Sequence, residues 1–211
     1  MGNLGGLIRR TSLIFAITVC CLSTSLYGGV GGVVLSENFD ELIPQEGAMF
    51  VGAFHTINGT DVDIVANGGI FGYLCQPPES GNCIDMNGGY AWGDARGQLQ
   101  SNMLFPAGNY LLSFDLIGSQ RDYTASVTVT FGDYDQTFTL ASTDDTGGIV
   151  LNQSVTLSSP GYLLFVSDND GQIGLLLDNV VVSTAGATPE PSSLLLLGSA
   201  LLLVAARIRR W

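Results

Sequence analysis

The run YLLSFDLIG, Tyr110 to Gly118, decides the fold of this chain. It is aliphatic and aromatic, it follows the turn Pro106-Ala107-Gly108-Asn109, and it belongs to a region without a 3.6-residue apolar stripe, so it reads as a β-strand. The same texture extends outward on both sides. TASVTVTFG (124–132) and QTFTLAS (136–142) are joined by Gly132-Asp133-Tyr134-Asp135, as in a hairpin. IVLNQSVTL, YLLFVS and IGLLLDNVVVS follow, the last two linked by Asp168-Asn169-Asp170-Gly171. Upstream, VVLSENF, MFVGAFHTI, DVDIVA and the segment around 98–105 are further strand candidates. An all-β domain is therefore expected over 33–184. About nine or ten strands at this spacing predict a two-sheet β-sandwich of the jelly-roll kind, because an open sheet would leave a long edge unpaired.

The ends of the 211-residue chain are different. Residues 1–28 carry Arg9 and Arg10 and then TSLIFAITVCCLSTSLYGG, the layout of a secretory signal peptide whose removal takes Cys20 and Cys21 with it. A lipoprotein would want a small residue before the acylated cysteine, and Val19 precedes Cys20. At the other end, residues 185–191 read as a linker and 192–211 as an apolar segment closed by arginines. The apolar run from Leu194 to Ala206 has 13 residues. As a helix it spans roughly 20 Å, short of the roughly 30 Å of a bilayer core, so it is a marginal transmembrane helix. The arginines behind it keep that end cytoplasmic and place the middle domain outside.

Removing both ends leaves about 155 to 160 residues, one domain with a real core. The chain has no lysine, and five of its seven arginines lie in the end segments. Between Gly28 and Ala187, two arginines (Arg96 and Arg121) against 18 acidic residues leave a formal balance of −16. Such a surface repels phosphate backbones and anionic lipid, which excludes nucleic acid as a partner and leaves cations, neutral sugars and proteins.

Two resemblances follow from these residues. Pro189-Glu190-Pro191, the short Leu/Ala/Gly-rich segment and the terminal Arg207, Arg209 and Arg210 together resemble the PEP-CTERM sorting signal of Gram-negative bacteria. That resemblance implies recognition by an exosortase, a membrane-embedded cysteine transpeptidase that cuts near the PEP motif, in a cell that makes extracellular polysaccharide. A plain C-terminal membrane anchor is the alternative. PAGNYLLSFDL, followed much later by LLLDNVVVS, resembles galactose-binding-like domains, in which a G-x-Y-x-L-x-F strand crosses the centre and a final DNV strand closes the sandwich. In such domains a structural calcium often sits where the first and last strands meet, which here implies Glu37, Asp40 and Asp178 as its ligands. Oxygen ligands on loops, as in Asp168-Asn169-Asp170-Gly171, also suit calcium, but that run lacks the first ligand and the closing Glu of an EF-hand.

Cys75 and Cys83 bracket QPPESGN in an exported chain and read as a disulfide that closes a loop. His55 is the only histidine, and no G-x-S-x-G elbow is present, so a nucleophile–histidine set is not expected and His55 reads as a strand residue. The pairs Asp61/Asp63, Asp133/Asp135, Asp144/Asp145 and Asp168/Asp170 could serve hydrolysis only if two carboxylates faced each other across a cleft. Asp also caps backbone amides in turns, and most of these pairs lie in turns. The stretch NGGYAWGDARGQLQ offers Tyr90, Trp92, Asp94 and Arg96 as a sugar-binding set, since sugar C–H faces stack on rings while hydroxyls need polar partners. Trp92 could equally plug the core. The sequence thus predicts a non-enzymatic cell-surface or extracellular-matrix protein of the biofilm type that binds exopolysaccharide. A purely structural or adhesive matrix protein and a secreted carboxylate-dependent hydrolase are the rivals.

Overall fold

The computed structural model of the chain describes residues 31–66, 68, 74–75, 81–88 and 96–186. The expectations for 1–28 and 192–211 lie outside them. Among the described residues no helix is long and apolar enough to cross a membrane.

The described chain is all β. In order, its strands are β1 (Val33–Glu37), β2 (Gln45–Ala48), β3 (Phe50–Val51), β4 (Phe54–Thr56), β5 (Val62–Ala66), β6 (Asn82–Asp85), β7 (Gln98–Ser101), β8 (Gly108–Ile117), β9 (Ala125–Phe131), β10 (Tyr134–Leu140), β11 (Val150–Leu157), β12 (Leu164–Ser167) and β13 (Leu176–Thr184). They form two antiparallel sheets. The first runs β11-β8-β13-β6-β5-β2, with β1 also paired to β13, and the second runs β10-β9-β12-β7-β4-β3. This is the expected two-sheet sandwich.

Alternation builds the core. Tyr110, Leu112, Phe114 and Leu116 of β8 point inward, as do Val127, Val129 and Phe131 of β9 and Val180 and Val182 of β13. Phe54, Phe165, Phe114 and Phe138 form an edge-to-face chain between the sheets, with centroids 6.1, 5.4 and 5.6 Å apart. Edge-to-face contact sets the positive rim of one ring against the negative face of the next.

The first sheet is also covered on its outer face. There Val65, Leu74, Cys75, Cys83, Ile117 and Leu176 form a second buried cluster, and the Cys75–Cys83 disulfide holds the covering segment to β6 with its Cα atoms 5.8 Å apart. Strands β5 and β6 are accordingly buried on both faces.

Several elements depart from the expected ones. MFVGAFHTI is two strands, β3 and β4, folded back at Gly52-Ala53, where Gly52 has φ +59 and a Cβ would run into the Glu37 carboxylate. Glu37 Oε2 accepts the Ala53 N–H at 2.7 Å and fixes that turn. The β9–β10 turn is Gly132-Asp133 alone, with Gly132 at φ +63, so Tyr134 and Asp135 already belong to the strand. β2 and β6 are polar in sequence and were not expected. β8 is interior but lies next to the edge strand β11, and β13 holds the middle of the sheet.

The disulfide closes a short loop around a small cluster. Replacing Cys75 and Cys83 together by Ala should cost about 2 to 3 kcal/mol in urea unfolding and leave the far-ultraviolet β signal intact.

Candidate functional site

Antiparallel pairing gathers the connections 57–61, 118–124, 141–149 and 168–175, and the roots 86–88 and 96–97 of another, at one end of the sandwich. Asp85, the last residue of β6, joins three of them. Its carboxylate is ion-paired with Arg121 and accepts the Gly174 N–H at 2.8 Å and the Asn87 N–H at 3.1 Å. Burial pushes the Asp85 carboxyl up to about 7, against the pull of Arg121 and of those two amides.

The aromatic loop leaves and returns beside this node. Tyr90, Trp92 and Asp94 lie outside the described residues, but both roots of their loop are described. On the outgoing side Gly88 N donates to Asp61 O at 3.4 Å, and a Cβ at Gly88 would collide with the Asp61 carboxylate. Asn87 is buried, donates to Asn169 O at 3.2 Å and accepts the Gly97 N–H at 3.4 Å, so it staples the two roots to each other and to the 168–171 turn. On the returning side Arg96 Nε donates to Asp170 Oδ1 at 3.0 Å, a bond that raises the Arg96 pKa, and Gly97 O accepts the Ser167 N–H at 2.8 Å. Arg96 and Arg121 therefore share one end of the molecule, each tied to an aspartate.

Glu37, Asp40 and Asp178 also come into one neighbourhood, at the place on β13 where β6 hands over to β1. Asp178 is 1 % exposed and stands opposite Asp115 of β8, with Asn179 at φ +52 in the bulge that follows. Burial raises the Asp178 carboxyl to about 7, helped by the charges of Asp40, Asp115 and Glu37 and opposed by the Asn179 N–H. The carboxylates are turned onto protein donors. Glu37 accepts from Phe39 N and Ala53 N at 3.0 and 2.7 Å, Asp40 from Asn82 N at 3.0 Å, and Asp178 from Asn179 N at 2.6 Å. Among the described residues no group of three or more His, Cys, Asp or Glu side chains is arranged to hold a metal ion. Both oxygens of Glu37 and the Oδ1 atoms of Asp40 and Asp178 are taken by those amides, and Asp40 Oδ2 accepts from Asn38 Nδ2 at 2.9 Å.

Of the aspartate pairs, 168/170 is bonded to the side chains of Thr128 and Arg96, and one member of each of the others serves the backbone. Asp144 accepts Thr146 N and Gly147 N, which lowers its pKa, Asp133 accepts Thr156 N of the edge strand β11, and Asp63 accepts Gly47 N. His55 sits half-buried on β4 with Nδ1 2.7 Å from Asn102 Oδ1. Sequence reasoning missed the Asp85–Arg121 pair, 36 residues apart, and the stapling Asn87.

The family model described as the PEP-CTERM protein-sorting motif matches residues 187–210. The tail is a PEP-CTERM sorting signal. Its bearer is an exported protein, anchored in the membrane before exosortase processing and at the cell surface or outside the cell afterwards. No curated protein matches the chain in sequence. Solved structures similar to the sandwich include the CBM22-1 xylan-binding domain of Paenibacillus barcinonensis Xyn10C, at 17 % identity over 74 % of this chain and 97 % of that one, with a TM-score of 0.46. The K1 cleaved adhesin domain of Lys-gingipain from Porphyromonas gingivalis W83 aligns at 18 % identity over 74 % and 100 %, with a TM-score of 0.44. The C-terminal family 22 carbohydrate-binding module of Clostridium thermocellum Xyn10B aligns at 12 % identity over 77 % and 99 %, with a TM-score of 0.41.

Because the folded Asp178 binds its proton more tightly than the unfolded chain does, stability falls as pH rises from about 4 to about 7. Asp178→Asn should flatten that slope and raise stability at pH 8 by about 2 to 4 kcal/mol, measured by urea unfolding across pH. Arg121→Ala should cost about 3 kcal/mol at pH 8, where it leaves the buried Asp85 charge alone, and clearly less at pH 5, where that carboxyl is protonated.

Proposed function

We propose that the domain of this exported protein is a non-catalytic sandwich that binds extracellular polysaccharide at the cell surface or in the matrix, through the end that carries Tyr90, Trp92, Asp94 and Arg96. The observation that carries the reading is the stapled root of that loop: Asn87, Gly88, Arg96 and Gly97 are all bonded to neighbouring connections. A recognition loop held at both roots loses less conformational entropy on binding than a free one.

The charge supports an uncharged ligand. Both cations of the domain are engaged by aspartates, which leaves none to attract a polyanion. A binding rather than hydrolytic role is supported by Asp63, Asp85, Asp133 and Asp144, each of which spends an oxygen on backbone amides. The sorting signal supports a destination where polysaccharide is at hand.

The purely structural or adhesive alternative predicts no polysaccharide affinity. Tyr90→Ala/Trp92→Ala should weaken binding to the polysaccharide secreted by the host about tenfold, in affinity electrophoresis, with the melting temperature unchanged. Unchanged binding with an intact fold would rule out this loop as the contact.

A further inference from the structure

The outer face of the second sheet continues from the root of the same loop. Residue Gln98 of β7 lies two positions after Arg96, and its Oε1 accepts from Asn58 Nδ2 at 2.8 Å. One step along the strand, a single row crosses all six strands in register: Phe50, His55, Gln100, Leu164, Thr130 and Asp135. Five strand spacings make that row about 24 Å long. Beside it runs a second row, Gln98, Val166, Thr128 and Thr137.

A half-solvated antiparallel sheet is ordinarily polar outside, so polarity alone says nothing. Three particulars go further. First, Phe50 is 75 % exposed at one end of the row, directly opposite His55. Second, the polar groups are fixed in orientation: His55 is bonded to Asn102, Asn102 Nδ2 donates to Gly52 O at 3.1 Å, and Thr128 pairs with Thr137 at 2.7 Å. Third, the Gln100 amide in mid-row makes no hydrogen bond among the described residues. The strands of this face carry no lysine or arginine.

We infer that this face is a binding track for a neutral polysaccharide chain lying across the strands, along the row from Thr130 past Gln100 and His55 to Phe50. The phenyl ring takes a sugar C–H face, and the amides, imidazole and hydroxyls take hydroxyl groups. Strands without a cation, and with the Asp135 carboxylate at the far end of the row, suit an uncharged glycan and offer nothing to a uronate or sulfate. The track rests on the glycan-binding reading above and extends it from a loop to a surface.

Affinity electrophoresis of the disulfide-intact domain through gels containing dextran, hydroxyethylcellulose or alginate tests it, on wild type, Phe50→Ala, Phe50→Ala/Gln100→Ala and Tyr90→Ala/Trp92→Ala. The track requires retardation by a neutral polysaccharide and not by alginate. It also requires a loss of about tenfold in Phe50→Ala/Gln100→Ala, and a smaller loss in Phe50→Ala, at unchanged melting temperature. Wild-type binding kept by both Phe50 variants and lost by Tyr90→Ala/Trp92→Ala overturns the track and leaves the loop. Retardation by alginate alone overturns the neutral class. Absence of any retardation of wild type overturns the glycan reading and the track with it.

Discussion

Strand β13 is hydrogen-bonded along both edges, and the rest of the sandwich depends on that arrangement. One edge takes β8 over nearly its whole length, while the other is divided, β6 pairing with Leu176 and Leu177 and β1 with the residues from Val180 onward. A strand that changes partners in mid-course leaves a gap in that ladder, and at the same height its other edge carries a β-bulge against β8 between Asp178 and Val181. The acidic neighbourhood is a product of that gap. Asp178 lies in it, Glu37 ends the strand that arrives, and Asp40 binds the first residue of the strand that departs. Glu37 then reaches across to the β3–β4 turn and so couples the two sheets at the same place.

The first sheet also bears the cost of burying two faces. Apolar side chains fill the inner one without difficulty, but the outer one carries Asp63 opposite Asp85 and Asp115 opposite Asp178. Like charges set directly across a strand pair repel. The structure answers each case differently: Arg121 and two amides for Asp85, the Gly47 amide for Asp63, the Asn179 side chain for Asp115, and a raised proton affinity for Asp178. The second sheet, solvated on its outer side, sets no two carboxylates opposite each other in its outer rows.

The long strands were legible: TASVTVTFG and YLLSFDLIG carry the core on every second position, and IGLLLDNVVVS is a β-branched and aliphatic run whose alternation changes phase at its bulge. QEGA and NCID were not, since four residues with at most one large apolar side chain show no period, and both become strands because neighbours supply the pairing. MFVGAFHTI hid a hairpin because the glycine that turns the chain is flanked by residues that all favour strands. The disulfide could be read from spacing and the sorting tail from its motif. The meeting of Glu37, Asp40 and Asp178 could be read only through resemblance, and the outer row from Phe50 to Asp135 could not be read at all. It draws one residue from each of six strands and needs the register.

The placement of the arginines has a consequence for survival outside the cell. A protease that cuts after a positive side chain finds only Arg96 and Arg121 between residues 31 and 186. Both are at one end of the sandwich, with Arg96 held by Asp170 and Arg121 mostly buried against Asp85. To an enzyme of that class the rest of this surface is blank, so the composition that repels polyanions also leaves such a protease two guarded places to cut.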